Sequence, residues 1–263
     1  MLGRHHLLLS IFTVAILFVP YFQENTELTL VILIGIAIGS LIPDADSPDA
    51  AIFHEKVYVK GNLGKIINGL FAPLFPLFGY TTKYAIYKPS VFIFAKTFLK
   101  KYNISERHRG FLHSFIGIGT ATIFTAIYLS IILLAIDLFD IWLFLSFIVA
   151  YSFGALMHLI EDSSTVTGTQ FNYPFSNLIL KGELVTRPDS AQKPDIFTGF
   201  LGFLVIALFF AIELGYTPYS DWLITAVSVL FLLLSWAIFL SLIAKVKLER
   251  GELKSYPNVK RLL

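Results

Sequence analysis

The chain has 263 residues, of which 56% are hydrophobic and 14% charged, with a mean hydropathy of +0.73 and a net charge of +2. A soluble domain carries roughly 25% charged residues, so the composition describes a membrane protein. The absence of cysteine excludes disulfides, thiolate ligands and cysteine nucleophiles. A metal site would therefore be built from imidazole and carboxylate, donors suited to zinc, manganese, magnesium or iron.

Six apolar segments follow in chain order: residues 7–22, 28–42, 111–136, 141–159, 198–212 and 222–244. The first runs into Pro20, Tyr21 and Phe22 without a small-x-small cleavage site, and reads as a retained span rather than a signal peptide. A span needs roughly 17–25 residues to cross the bilayer. The second is short and ends at Pro43; the fifth is short and can continue through Glu213 and Leu214. Between the second and third spans, residues 65–80 contain Pro73 and Pro76, and residues 90–102 contain Lys96. Both read as interfacial amphipathic segments, with a re-entrant hairpin over residues 70–80 as the competing reading. Residues 160–197 are polar and turn-rich, and are expected to fold over the inner face. The expected fold is all-α: one integral membrane domain, a polytopic bundle of about six transmembrane helices with interfacial helices on the cytosolic side.

Charge orients the bundle. With the N-terminus inside, all 20 Lys and Arg residues fall on inside segments, from Arg4 to Arg261. The outside connections carry Glu24, Glu27, Asp137, Asp140 and Asp221, with Glu213 at their edge, and no basic residue. This positive-inside bias places both termini in the cytosol of a cell that keeps the protein in its plasma or inner membrane.

The same side collects the chemistry. His158 and Asp162 stand four apart at the inner end of the fourth span, a spacing that puts both on one helix face, so they can share an ion, or the carboxylate can orient the imidazole. His108 and His113 flank Gly110, a glycine that can let the backbone turn, leaving His108 in the loop and His113 in the first helical turn. Arg109 beside them can pair with a phosphate or carboxylate. Asp44 and Asp46 follow Pro43 in a segment expected to be extended, where both carboxylates can point the same way. His6, next to His5, precedes the first span. Each motif alone also reads as an interface residue or a solvated turn. Together, four distant segments set His or Asp at one depth on one side, enough ligands for one ion or for two about 3.5–4 Å apart. His54 and Glu55 read as loop surface.

The set GRHHLLLS, LIPDADSP, HRGFLHS and HLIEDSSTVTG, in that order, resembles the YdjM-like family of LexA-regulated, membrane-bound metal-dependent hydrolases. The resemblance covers roughly residues 1–50 and 108–177 and matches His6, Asp44, Asp46, His108, Arg109, Gly110, His113, Ser114, His158, Asp162, Thr165 and Gly168 to the family's motifs. Leu112 departs from them, standing where the family usually has Thr. The resemblance implies a metal centre formed by His6, Asp44, Asp46, His108, His113, His158 and Asp162.

The expected function is a membrane-embedded hydrolase in which one or two divalent ions, zinc or manganese, activate water at the cytosolic interface. Asp46 or Asp162 would accept the proton, and Arg109 would stabilise developing negative charge. A phosphoester or other ester, carried by a membrane lipid, is the expected substrate; no nucleic acid or protein partner is expected. A non-catalytic membrane protein stapled by metal is the alternative. An ion transporter ranks below it, because the central thirds of the six spans carry no Asp, Glu, Lys, Arg or His. A metal-free phosphohistidine phosphatase ranks lower still, since no P-S-G-H element accompanies His158 and Asp162.

Overall fold

A computed structural model of the chain describes residues 1–54, 73–97, 100–102, 104, 108–185, 191–216 and 220–251. The side chain of His54, residue Glu55, and residues 70–72 of the competing hairpin lie outside the described residues. Among the described residues, six helical stretches of 19 to 23 residues are long and apolar enough to cross a membrane. At about 1.5 Å per residue each spans a hydrocarbon core of ~30 Å.

The spans begin with α1 (Gly3–Phe18), which tightens into a turn at Val19–Tyr21. Next comes α2 (Thr26–Gly39), whose span is completed by a 3₁₀ turn at Ile42–Asp46. A short α3 (Ala51–His54) follows. The third and fourth spans are α6 (Phe115–Ala135) and α7 (Ile141–Ser163). The fifth is α8 (Gln192–Glu213). The sixth is α9 (Asp221–Ile238), extended by a π turn at Phe239–Ile243. Caps set two of the starts. Ser114 accepts the Gly117 amide on α6, and Asp140 accepts the Trp142 and Leu143 amides on α7, satisfying donors that a helix start leaves open.

Three ends differ from the sequence reading. His5 and His6 lie inside the first turns of α1 rather than before the span, because their polar groups find partners on other helices. His113 sits in the turn just before Ser114 instead of in the helix. Residues 42–46 form a 3₁₀ turn rather than an extended segment, since Pro43 suits the start of a helical turn, where its missing N–H costs nothing.

The two segments expected at the interface are joined. Helix α4 (Leu74–Tyr80), a π turn (Thr81–Tyr87) and α5 (Lys88–Lys96) run on as one rod. Pro73 and Pro76 fall at its start, where amides need no helical partner. Pro89 has no N–H to offer the carbonyl of Ala85, four residues earlier; the Tyr128 hydroxyl donates to that oxygen at 3.3 Å, and the wider π turn relieves the ring clash. The rod lies against mid-span residues: the Phe78 ring is 6.0 Å from that of Phe147 on α7. Its lysines sit over aromatic faces, Lys88 over Tyr84 at 4.9 Å and Lys96 over Phe92 at 3.8 Å.

Two of the apolar clusters among the described residues are large. One joins α2, α3, the rod and the mid-span part of α7 around Ile38, Leu41, Tyr87, Phe111 and Tyr151. The other joins α1, α8 and α9 around Leu9, Leu201, Trp236 and Phe239. Helix α1 lies at the seam, with Leu7 in the first core and Leu9 in the second. The α2–α7 crossing is close because Gly39 and Gly154 face the partner backbone. Residues 164–185 fold over the ends that carry the motifs. There β1 (Leu178–Lys181) pairs antiparallel with β2 (Lys247–Arg250), tying the cover to the chain beyond the last span.

Candidate metal centre

The predicted site residues reach this centre from four elements. Helix α1 brings His6 and the 3₁₀ turn brings Asp44 and Asp46. The turn before α6 brings His108, Arg109 and His113, and the last turns of α7 bring His158 and Asp162. His6, His113, His158 and Asp162 are all at most 1% exposed.

Donor atoms from five residues converge. His113 Nε2 lies 3.3 Å from Asp44 Oδ1 and 3.6 Å from Asp162 Oδ2. His158 Nε2 lies 3.5 Å from Asp44 Oδ1 and 3.7 Å from Asp162 Oδ2. His6 Nε2 is 3.5 Å from Asp162 Oδ1. Three overlapping sets, namely His6–Asp44–His158, Asp44–His108–His113 and His113–His158–Asp162, each offer donor atoms within 4.8 Å of one another.

The unsatisfied atoms give the test of fit. Buried polar atoms are nearly always hydrogen-bonded, because leaving one unpaired costs about 1–3 kcal/mol. Yet His113 Nε2, His158 Nε2 and Asp162 Oδ2, all buried and facing one another, have no hydrogen-bond partner among the described residues. Their distances are too long for good hydrogen bonds and suit donors arranged around a cation. Three imidazoles and two carboxylates are a donor set for zinc, manganese or iron. The residues fit a divalent ion.

Behind the donors stand groups that fix ring orientation. His158 Nδ1 is 2.6 Å from the carbonyl oxygen of Ser40, which can only accept, so Nδ1 carries the proton and Nε2 presents its lone pair inward. His6 Nδ1 is 2.6 Å from Glu161 Oε2, while the Ser10 hydroxyl donates to Glu161 Oε1 at 2.9 Å. The His6 and His158 rings stack with their centroids 3.8 Å apart. Glu161, Ser10 and the Ser40 carbonyl are absent from the sequence reading. Glu161 stands three residues after His158 and Ser10 four after His6, spacings that put each on its histidine's helix face; the carbonyl has no sequence signal.

The 3₁₀ turn separates the two aspartates. At about three residues per turn, positions two apart do not share a face, and Asp44 approaches His113 at Nε2 whereas Asp46 approaches it at Nδ1, 3.5 Å away. Asp46 Oδ1 also lies 2.8 Å from His108 Nδ1. His108 is 49% exposed and Asp44 18%, so these two residues mark the open edge of the centre. Burial disfavours the charged form of His113, but the carboxylates of Asp44 and Asp46 outweigh it and hold the imidazole above its ordinary pKa.

Arg109 is engaged by the protein. Its guanidinium donates to Asp162 Oδ1 at 2.8 Å, Thr165 Oγ1 at 3.1 Å and the Gly168 carbonyl at 3.2 Å, joining the centre to its cover. The residue with left-handed backbone is Arg109 itself, at φ 60°, rather than Gly110; these three bonds hold it there. The Met1 amino group reaches the same Asp162 oxygen at 2.7 Å.

The family model described as YdjM inner membrane protein matches residues 1–244. Neither a curated protein nor a solved structure matches the chain.

Proposed function

The chain belongs to the YdjM inner membrane protein family and is a multi-pass membrane protein, and we propose that it is a metal-dependent hydrolase with its site at the cytosolic membrane face. The observation that carries this reading is the convergence of buried, unpartnered His113 Nε2, His158 Nε2 and Asp162 Oδ2 beside Asp44 Oδ1 and His6 Nε2. These five residues would hold the ion. A divalent ion there supplies Lewis-acid activation of water, lowering its pKa toward ~7.

The protein's own groups do the rest. Ser40 O and Glu161 orient His158 and His6, and Asp46 stands behind His113. Asp162 Oδ1 faces Arg109 and the Met1 amine, which leaves Asp46 as the carboxylate with no cation beside it among the described residues; paired with His108, whose ring is half exposed, it would hold a released proton at the edge of the centre. Arg109 holds Asp162 and the cover, and the edge of its guanidinium lends positive charge to an approaching anionic ester. The basic inside segments and the lipid-facing helices favour a phosphoester or other ester borne by a membrane lipid.

The near-complete burial of His6, His113, His158 and Asp162 favours a second reading, a metal staple without catalysis. Metal content by plasma mass spectrometry, on detergent-purified wild type beside His158→Ala and Asp44→Ala, tests both. Stoichiometric zinc or manganese, lost in both folded variants, establishes the centre; metal-free wild type after supplementation sinks it. Hydrolysis of p-nitrophenyl phosphate or of phospholipid by the loaded protein then separates catalyst from staple.

A further inference from the structure

Glu161 is a carboxylate with no solvent exposure at the inner end of α7, and it lies outside the donor sets. Its two oxygens are both committed: Oε2 to His6 Nδ1 at 2.6 Å, and Oε1 to the Ser10 hydroxyl at 2.9 Å. A carboxylate occupied in this way has little left to offer an ion. It is nevertheless adjacent in sequence to Asp162, whose Oδ2 is unpartnered and faces the centre. Successive helix positions diverge by about 100°, which turns Asp162 inward and Glu161 toward α1.

His6 has no other acceptor for its Nδ1 proton among the described hydrogen bonds. An imidazole with a free Nδ1 can present either nitrogen, by tautomer exchange or by ring flip; with Nδ1–H held by a carboxylate, only Nε2 offers a lone pair. The stacked His158 ring, 3.8 Å away, packs against one face and limits rotation.

We propose that Glu161 is a positioning residue for metal uptake: it fixes the tautomer and orientation of His6 so that Nε2 enters the centre, while Ser10 anchors Glu161 in turn. The assignment rests on the metal reading above. It makes the Ser10–Glu161–His6 chain the means by which α1, whose other histidine, His5, is paired with Asp195, contributes a donor to a site otherwise carried by α7 and the two turns.

The test is titration of the detergent-purified, metal-stripped protein with Co2+, followed by its visible absorption, which reports both affinity and donor set. Glu161→Gln keeps the shape and one acceptor but puts an NH2 donor in place of the other oxygen, and should weaken Co2+ binding about tenfold; Glu161→Leu should weaken it toward about a hundredfold. In a His6→Ala background, which leaves four donors, either substitution should change affinity less than about twofold, because the effect runs through His6. A role limited to fastening α1 to α7 would weaken both backgrounds alike, and that result overturns the proposal, as do Glu161 variants that bind Co2+ like wild type. Should Glu161→Leu fail to fold, Ser10→Ala, which removes only the anchor on Oε1, should give a smaller loss in the same direction, again absent without His6; an unchanged affinity there, with Glu161→Gln also unchanged, rejects the assignment. Wild type that takes up no Co2+ and no zinc would sink the metal reading itself, a failure distinct from binding that ignores Glu161.

Discussion

His158 Nδ1 lies 2.6 Å from the carbonyl oxygen of Ser40, a residue 118 positions away at the end of α2. This bond sets which nitrogen of His158 faces the centre, and it exists only because α2 and α7 cross closely enough for backbone to meet side chain. A Cβ on Gly39 would stand 2.0 Å from the Tyr151 carbonyl oxygen, and one on Gly154 would stand 2.5 Å from that of Ile36.

Gly39→Ala and Gly154→Ala should therefore both destabilise the protein. Alanine is better in a helix than glycine by about 1 kcal/mol, but pushing two backbones apart costs about 1–3 kcal/mol or more, so the clash wins. Thermal unfolding in detergent should show lower midpoints for both. Because Ser40 moves with α2, bound metal should fall as well. An unchanged or raised midpoint would mean that the crossing is looser than its geometry.

Arg109 predicts a difference between loaded and stripped protein. Glutamine at this position loses the cation beside Asp162 Oδ1 together with the ties to Thr165 and Gly168. The cost should be on the order of 2 kcal/mol, below the ~3–5 kcal/mol of a fully buried pair because the guanidinium keeps solvent contact. It should be larger without metal, when nothing else offsets the Asp162 charge. Arg109→Lys should not rescue, since one ammonium cannot serve three acceptors set in a fork. Melting curves of both variants with and without zinc decide the point; equal losses in the two states would contradict it.

His113 gives the sign of the pH dependence. Its folded-state pKa is raised from the ordinary 6.5, so in metal-free protein its stabilising charge is complete below that value and is lost as pH rises through the higher folded-state value. Metal requires the neutral imidazole, so stabilisation by metal grows over the same range. The gap between midpoints measured in zinc and in chelator should widen from about pH 6 to about pH 8. A gap that is flat across this range would remove His113 from the ligand set.

Much of the fold is legible residue by residue. Apolar runs locate all six spans, since crossing hydrocarbon requires a long stretch of apolar side chains whichever helices surround it. Their ends are less legible where polar residues are satisfied by distant partners, as His5 is by Asp195 on α8 at 2.8 Å. The 3₁₀ turn at Asp44 and Asp46 escaped the reading because Pro43 is compatible with either a chain leaving a helix or a new turn starting. The joining of the two interfacial segments into a rod through residues 74–96 escaped it because Pro89 and the lysines look disruptive until Tyr128 and the aromatic faces are in place.

The sequence by itself determined the class of the protein, its spans, the sidedness of its charge and the four motifs that carry His and Asp. Those properties follow from how each segment partitions between water and lipid, which depends on local composition. Only the tertiary structure decided which nitrogen of each histidine faces inward, that Asp44 and Asp46 part on either side of His113, that Arg109 is bound to Asp162, and that Glu161 stands behind His6. These depend on hydrogen bonds between residues as far as 155 positions apart, whose length and direction are set by helix crossing and not by spacing along the chain.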